Sequence, residues 1–432
     1  MGVISPVSLT LDGLWDSLQS GRSGARPFQW EDGTAAPVSV AAPALFTGDI
    51  DDFDISDTSQ KKAVKKSQKV MSREIQMAVA ASCRALKNAN VFFGQFSPER
   101  VGISFGSDYI VTTPEEVVDA VRAVSRLCND NRPLLNLMEK NGKFDFSLWA
   151  KNGLPKMQPL WQLKYLPNMP SSHIAILNNF HGPSNSITLR EASIGAVIGE
   201  AASIIGSGKA DLMLVGTTGS RILPFKMLAA MQQEEIASET CCPFDKNRQG
   251  TILGDGAGAL LLEEWEGAEK RGVPIFAEIV SASYRINCNM NGGANIRAAV
   301  AAVLQNVLKQ AEMQPEDVGF ICAHGLGSPP ADRQEALAIN DVFGLRKKPV
   351  PVAAAKGYFG NIGAGAGAVE LMSGILSLQH GTVFPTLNYE TADPECPILV
   401  SAKDDIPAGN SFIKIAFNRQ GQASAVLVKS RV

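Results

Sequence analysis

The chain has 432 residues, 45% hydrophobic and 19% charged, with no run approaching the roughly 18 apolar residues that a membrane helix requires. Its 40 Lys and Arg against 43 Asp and Glu leave a net charge of -3, which gives no global attraction to nucleic acid or an anionic membrane; an acidic partner must dock locally. The 7 Cys are scattered; with only Cys241 and Cys242 adjacent and no CxxC, they argue against a disulfide framework or a zinc site and read as buried thiols.

The opening stretch MGVISPVSLTLDGLW has neither a basic segment nor a long apolar one, so no signal peptide is expected and the default compartment is the cytoplasm. Composition stays even along the chain, which suits one large body built from two similar halves. Residues 21–70 are rich in Gly, Pro, Ser, Asp and Lys and predict a long excursion over the surface. From Met71, REIQMAVAASCRALKNA carries apolar residues at helical spacing, followed by a turn with Pro98 and a short strand, RVGISFGS. Further on, ASIGAVIGEAASIIGSG predicts a deeply buried helix whose small residues permit close approach of neighbouring backbones. ADLMLVG and AGALLLEEW are apolar runs of the kind found in strands covered on both faces. ANIRAAVAAVLQNVLKQAEM then runs into QPEDVGFICAHGLGS, so helix, Pro-Glu-x-Val-Gly turn and strand recur, with Pro315 matching Pro98. Helices alternating with strands in a duplicated unit predict an α/β protein with central sheets between helices.

The block CCPFDKNRQGTILGDGAGALLLEEWEGAEKRG places Pro243, Phe244, Asp245, Arg248, Gly250, Gly254, Gly256, Ala257 and Gly258 in one ordered pattern. GPSNSI, GKADLMLVGTTGS, AHGLGSPPADRQEA and AAKGYFGNIGAGAGAVE flank it. In this order and spacing the blocks resemble the β-ketoacyl synthases of fatty acid and polyketide synthesis over almost the whole chain. The resemblance implies the thiolase fold: duplicated βαβ-type halves, here 1–264 and 265–432, forming an αβαβα layered sandwich. No cofactor and no metal are expected. In that family the first strand ends in a turn before Gly-Val-Ile-Ser-Pro, and Met1 falls inside that turn; either the start is late or the sheet lacks an outer strand.

The same resemblance implies the site. The family's nucleophilic Cys sits at the sharp turn into the buried helix, where the helix N-terminus favours a thiolate. Aligning GPSNSITLREASIGAVIG on that pattern puts Glu191 in its place, and a carboxylate cannot carry an acyl chain as a thioester. His324 in AHGLGSP keeps the first family His; Asn361 in FGN replaces the second; Lys356, Asp332 and Glu335 hold their family spacing. Phe417 and Arg419 fall in the gating loop, with Arg419 where a Phe usually swings. Glu191 gains up to about 1 kcal/mol from the helix dipole, whereas an unpaired buried carboxylate costs several. Arg419 or His324 is therefore expected to supply a charge-assisted hydrogen bond that turns a reaction cavity into a polar plug.

The function implied first is a non-condensing subunit similar to the chain-length factors of type II polyketide systems, paired with an active ketosynthase as a heterodimer; a homodimer is the alternative. A malonyl-thioester decarboxylase that primes chain synthesis is the second reading, and a hydrolase or dehydratase using Glu191 and His324 as acid and base is the third. Cys322, in an apolar strand, reads as an inert thiol. In KKAVKKSQK, Lys66 and Lys69 are candidates for docking an acidic acyl carrier protein, where ketosynthases use Lys and Arg.

Overall fold

The computed structural model describes residues 1–30, 33–92, 94–125, 145–288, 293–403 and 405–430. Its first sheet contains β1 (Gly2–Ile4), β2 (Arg26–Gln29), β3 (Ala35–Ala42), β4 (Val101–Ser107), β5 (Ser184–Ile187), β6 (Leu212–Ser220) and β7 (Leu253–Glu263). They run in the order β2-β3-β7-β6-β4-β5, with β1 beside β7. The second sheet contains β8 (Glu278–Ile286), β9 (Phe320–Cys322), β10 (Pro351–Ala353), β11 (Leu399–Val400), β12 (Ser411–Phe417) and β13 (Gln422–Lys429), in the order β11-β10-β9-β12-β13-β8.

Helices Ser193–Gly206 and Gly365–His380 pack against both sheets, Arg73–Asn88 covers the far face of the first, and Ile296–Gln310 covers the far face of the second with Pro329–Phe343 against it. The result is the expected αβαβα sandwich. Strand β6 is buried at every position, as its apolar run requires of a strand covered on both faces. The two central helices owe their place to small side chains. An added Cβ at Gly195 would lie 2.5 Å from Ser424 Cβ, and one at Gly367 would lie 2.7 Å from Ile194 Cβ.

The recurrent unit is real in three dimensions. Ser72 caps the helix Arg73–Asn88 and Asn295 caps Ile296–Gln310 through their side chains, satisfying amides that the first turn leaves free. Each helix leads through a proline-initiated 3-10 turn, Pro98–Arg100 or Pro315–Asp317, into a strand with parallel neighbours on both sides. These strands are β4, between β5 and β6, and β9, between β10 and β12.

One expectation needs correction. Residues 21–70 are not wholly a surface excursion: β2 and β3 extend the first sheet, Ala41 and Ala42 are fully buried beside β7, and Val64 is the buried residue of helix Thr58–Ser67. The Gly and Pro content around them hid a short alternating strand. Gly2–Ile4, which follows the turn that the resemblance assigns to Met1, pairs antiparallel with Ala257–Ala259, its backbone groups meeting the open side of β7.

The packing of Ser193–Gly206 predicts that Gly195→Val, forced against Ser424, lowers unfolding free energy by about 1–3 kcal/mol. Gly206, in the last turn with nothing within 4 Å of an added Cβ, should accept Ala with no loss or a gain of about 0.5–1 kcal/mol. Chemical denaturation of both variants checks this.

Candidate functional site

The site gathers where strands of both sheets end against the start of the central helix. A 3-10 turn, Arg190–Ala192, leads into Ser193–Gly206, and Arg190 adopts a left-handed backbone, φ 53°, which a residue with a side chain holds only when its surroundings impose it. Arg221 directly follows β6, His324 lies two residues past β9, and Phe417 is the last residue of β12. Asn361 follows the short helix Lys356–Phe359, its amide N–H donating to Ile252 O at 2.7 Å.

Glu191 is 4% exposed and its carboxylate is held by Arg221, itself 3% exposed. Arg221 Nη1 donates to Glu191 Oε1 at 2.7 Å, and Arg221 Nη2 donates to Glu234 Oε1 at 2.5 Å. Arg190 adds charge at longer range, 3.9 Å from Glu191, 4.0 Å from Glu234 and 3.8 Å from Asp108. Asn361 Nδ2 reaches Glu191 Oε1 at 3.5 Å. Burial alone would push the Glu191 carboxyl up, but the Arg221 and then the Arg190 charges overcome it and hold it below the ordinary value. Burial would likewise lower Arg221, and Glu234, Glu191 and Asp108 reverse the direction. Arg190, Glu191, Glu234, His324, Asn361, Phe417 and Arg419 line what remains of the pocket, a volume of ≈ 10 Å³, about the space of one water.

His324, 2% exposed, packs its ring 4.4 Å from that of Phe417. Lys356 Nζ donates to His324 O at 2.7 Å and lies 3.1 Å from His324 Nδ1. Burial, then the charges of Lys356, Lys414 and Arg221, push the imidazole well below 6.5, so His324 is neutral at physiological pH. Glu370 compensates the two lysines, 2.5 Å from Lys356 Nζ and 2.6 Å from Lys414 Nζ, all three side chains being fully buried. Glu335 accepts the N–H groups of His324 and Gly325 at 2.7 and 2.8 Å, and Asp332 accepts those of Phe244, Leu326 and Gly327. These two carboxylates shape the loop that carries His324, and neither lines the pocket.

Glu191, His324, Asn361, Phe417 and Arg419 do come together around the pocket, with Lys356 directly behind His324. The expected partner of Glu191 was wrong, however. Arg419 turns outward to Glu235, 2.6 Å away and half-exposed, and His324 makes no bond to Glu191. Arg221 takes that role because it leaves the end of β6 buried beside Glu191, whereas Arg419 pairs with Glu235 at the half-exposed rim. Lys66 and Lys69 are exposed on and just after helix Thr58–Ser67 and belong to the outer surface. None of the six described cysteines lines the pocket; Cys322 is buried against Glu370 O with its thiol pushed up to about 12 by burial. Cys128 lies outside the described residues.

Arg221, Arg190, Glu234, Glu370 and Lys414 went unrecognised in the sequence. A signal was there for two of them. Glu370 is a lone carboxylate in the apolar helix GAGAVELM, and Lys414 a lone cation in the strand SFIKIAF; a charge in a fully covered element demands a buried partner.

The fold is the thiolase-like ketosynthase fold. Residues 1–268 match the model for the β-ketoacyl synthase N-terminal domain and residues 276–390 that for the C-terminal domain, and the chain belongs to the β-ketoacyl synthase family. It is 27% identical over 409 residues to a 3-oxoacyl-[acyl-carrier-protein] synthase 2 of Synechocystis sp., covering 92% of this chain and 88% of the relative. A putative polyketide β-ketoacyl synthase 1 of Streptomyces cyaneus is 27% identical over 406 residues, 92% of this chain and 89% of the relative. Among solved structures, the ishigamide ketosynthase/chain length factor superposes with a TM-score of 0.82 at 22% identity, covering 100% of this chain and 98% of that one. AntDE:AntF, a type II polyketide acyl-carrier protein in complex with its ketosynthase, gives 0.79 at 21% identity, covering 100% and 98%.

Removing the cation tests the cluster. Arg221→Met leaves Glu191 and Glu234 buried without their partner and is expected to cost about 3–5 kcal/mol. The folded Glu191 value lies below 4.5, so its stabilisation is complete above the unfolded value and is lost as pH falls through the folded one. Denaturant midpoints measured down the acid range should show that acid-side loss in the wild type and a reduced loss in Arg221→Met.

Proposed function

We propose that this chain is a non-condensing ketosynthase-like subunit, similar to a chain-length factor, that pairs with an active ketosynthase in fatty acid or polyketide synthesis. The observation that carries the reading is the filled pocket. The position that the family resemblance assigns to the acyl-carrying Cys holds Glu191, its carboxylate is committed to Arg221, and ≈ 10 Å³ remain. Asn361 stands where the second His would assist. An acyl thioester has neither an attacking atom nor room, and condensation requires both. The filled pocket weighs equally against malonyl-thioester decarboxylation and against acid–base chemistry by Glu191 with His324.

Two open edges support a partner. Among the described residues β5 pairs only with β4, and β8 only with β13, and the central helix Ser193–Gly206 packs on both. Tyr284 and Ile286, on β8, are 57% and 64% exposed, apolar surface that a monomer seldom presents beside unpaired strand edges. A subunit without chemistry can act through such a face, by shaping its partner's acyl tunnel. The acyl carrier protein is a further partner in this reading, met by the exposed Lys66 and Lys69.

Co-expression with a Cys-bearing ketosynthase should give a stable 1:1 complex by native mass measurement, and Ile286→Asp should weaken it at least tenfold while leaving the thermal midpoint of the isolated chain in place. The isolated chain should neither elongate an acyl carrier protein nor release acetyl product from the malonyl form, and Glu191→Cys should not restore elongation. Elongation by the purified wild-type chain refutes the reading; acetyl product formed by it installs the decarboxylase instead. Lys66→Glu with Lys69→Glu should reduce carrier affinity of the complex, with the salt dependence expected of exposed charges; unchanged affinity removes the docking claim.

A further inference from the structure

On the outer surface, sharing no lining residue with the filled pocket, a cavity of ≈ 810 Å³ opens between three helices, Thr58–Ser67, Arg73–Asn88 and Met169–Asn178. Ligand pockets span about 300–1,000 Å³ and combine apolar walls with a few fixed polar groups. Here the walls are apolar: Ile55, Val64, Met71, Leu86 and Leu177, with Ile176 at the mouth, 78% exposed. The polar group is His173, 8% exposed. Its Nε2 is buried with no hydrogen-bond partner, while the ring bonds the Val70 backbone and burial holds the imidazole below its ordinary value. A neutral ring that donates through its other nitrogen presents Nε2 as a bare lone pair. Leaving such an acceptor buried and unsatisfied is unfavourable, and a ligand donor would relieve it.

The charges at the cavity select what that ligand can be. Lys87 Nζ is committed to Asp54 Oδ1 at 2.7 Å, and Asp57 accepts the Gln60 amide at 2.7 Å as the cap of its own helix. Among the described residues of the lining this leaves two carboxylates, one paired lysine and no cation free for an acidic head group. We propose that the cavity binds a neutral, largely apolar molecule bearing a hydroxyl group, whose O–H donates to His173 Nε2. Its roof, Thr58–Ser67, turns Lys62, Lys65 and Lys66 outward, so occupancy would fasten the helix that displays those charges.

Titration calorimetry with 1-octanol and with octanoate as probes tests this. The full chain should bind 1-octanol saturably at one site and octanoate at least tenfold more weakly. His173→Phe, close in size but without the acceptor, should weaken 1-octanol binding by about 3- to 10-fold, the worth of one net hydrogen bond. Ile176→Asp, at an exposed position, should weaken it as well without disturbing the fold, and thereby serves if His173→Phe proves unstable. The imidazole signal of His173, one of 4 histidines, should move on adding 1-octanol. Absence of saturable binding, octanoate binding as tightly as the alcohol, or equal 1-octanol affinity in the wild type and the folded variants overturns the proposal.

Discussion

A guanidinium buried between two carboxylates organises the site. Arg221 leaves the end of β6, Glu191 sits in the turn before the central helix, and Glu234 lies just beyond the helix Pro224–Gln233. One planar fork therefore ties three separate segments with two charge-assisted bonds, a geometry that a lysine's single ammonium cannot reproduce. Taking these charges out of water is expensive, and the arrangement persists only because nearly every one has an opposite neighbour. The cluster excludes other occupants as it satisfies itself, so electrostatic pairing and closure of the pocket are one event.

Behind it runs a second set of buried charges with a different task. Glu370 projects from the helix shared by both sheets and holds Lys356 and Lys414, while Glu335 and Asp332 hold backbone amides of the loop after β9. Together they fix His324 in position, while its burial and then the Lys356 and Lys414 charges keep it uncharged. The loop that carries His324 is thus held on its inner side, and the residues on which the proposed function rests, Glu191 and Asn361, lie on the side facing the helix start.

Most of the architecture was legible in the sequence, because its causes are local or repeated. The apolar runs of β6 and β7, the small residues of Ser193–Gly206 and the paired Pro-Glu turns each constrain the chain in one way only. Part of the pocket was legible too: the ordered motif blocks give Glu191, His324, Asn361, Phe417 and Arg419, but not Arg190 or Glu234. The partner of Glu191 was not, since nothing in the spacing of residues 191 and 221 reveals that the end of one strand faces the start of a distant helix. Arg419 was the more conspicuous candidate, lying inside a recognised loop, yet tertiary geometry sends it to Glu235 at the rim. β3 was missed for a related reason: Gly and Pro around it mark turns correctly, and the strand between them is held by only two residues of pairing to β7.

The mutual dependence of Arg221 and Glu191 also couples their substitution. Exchanging Glu191 alone deprives Arg221 of one of its two counter-charges, and exchanging Arg221 alone strands two carboxylates in the interior; each single step passes through a chain weakened by several kcal/mol. On the function proposed above, any exchange at either position is therefore coupled through buried charge to residues in two other segments, and the fold tolerates it only when they change together.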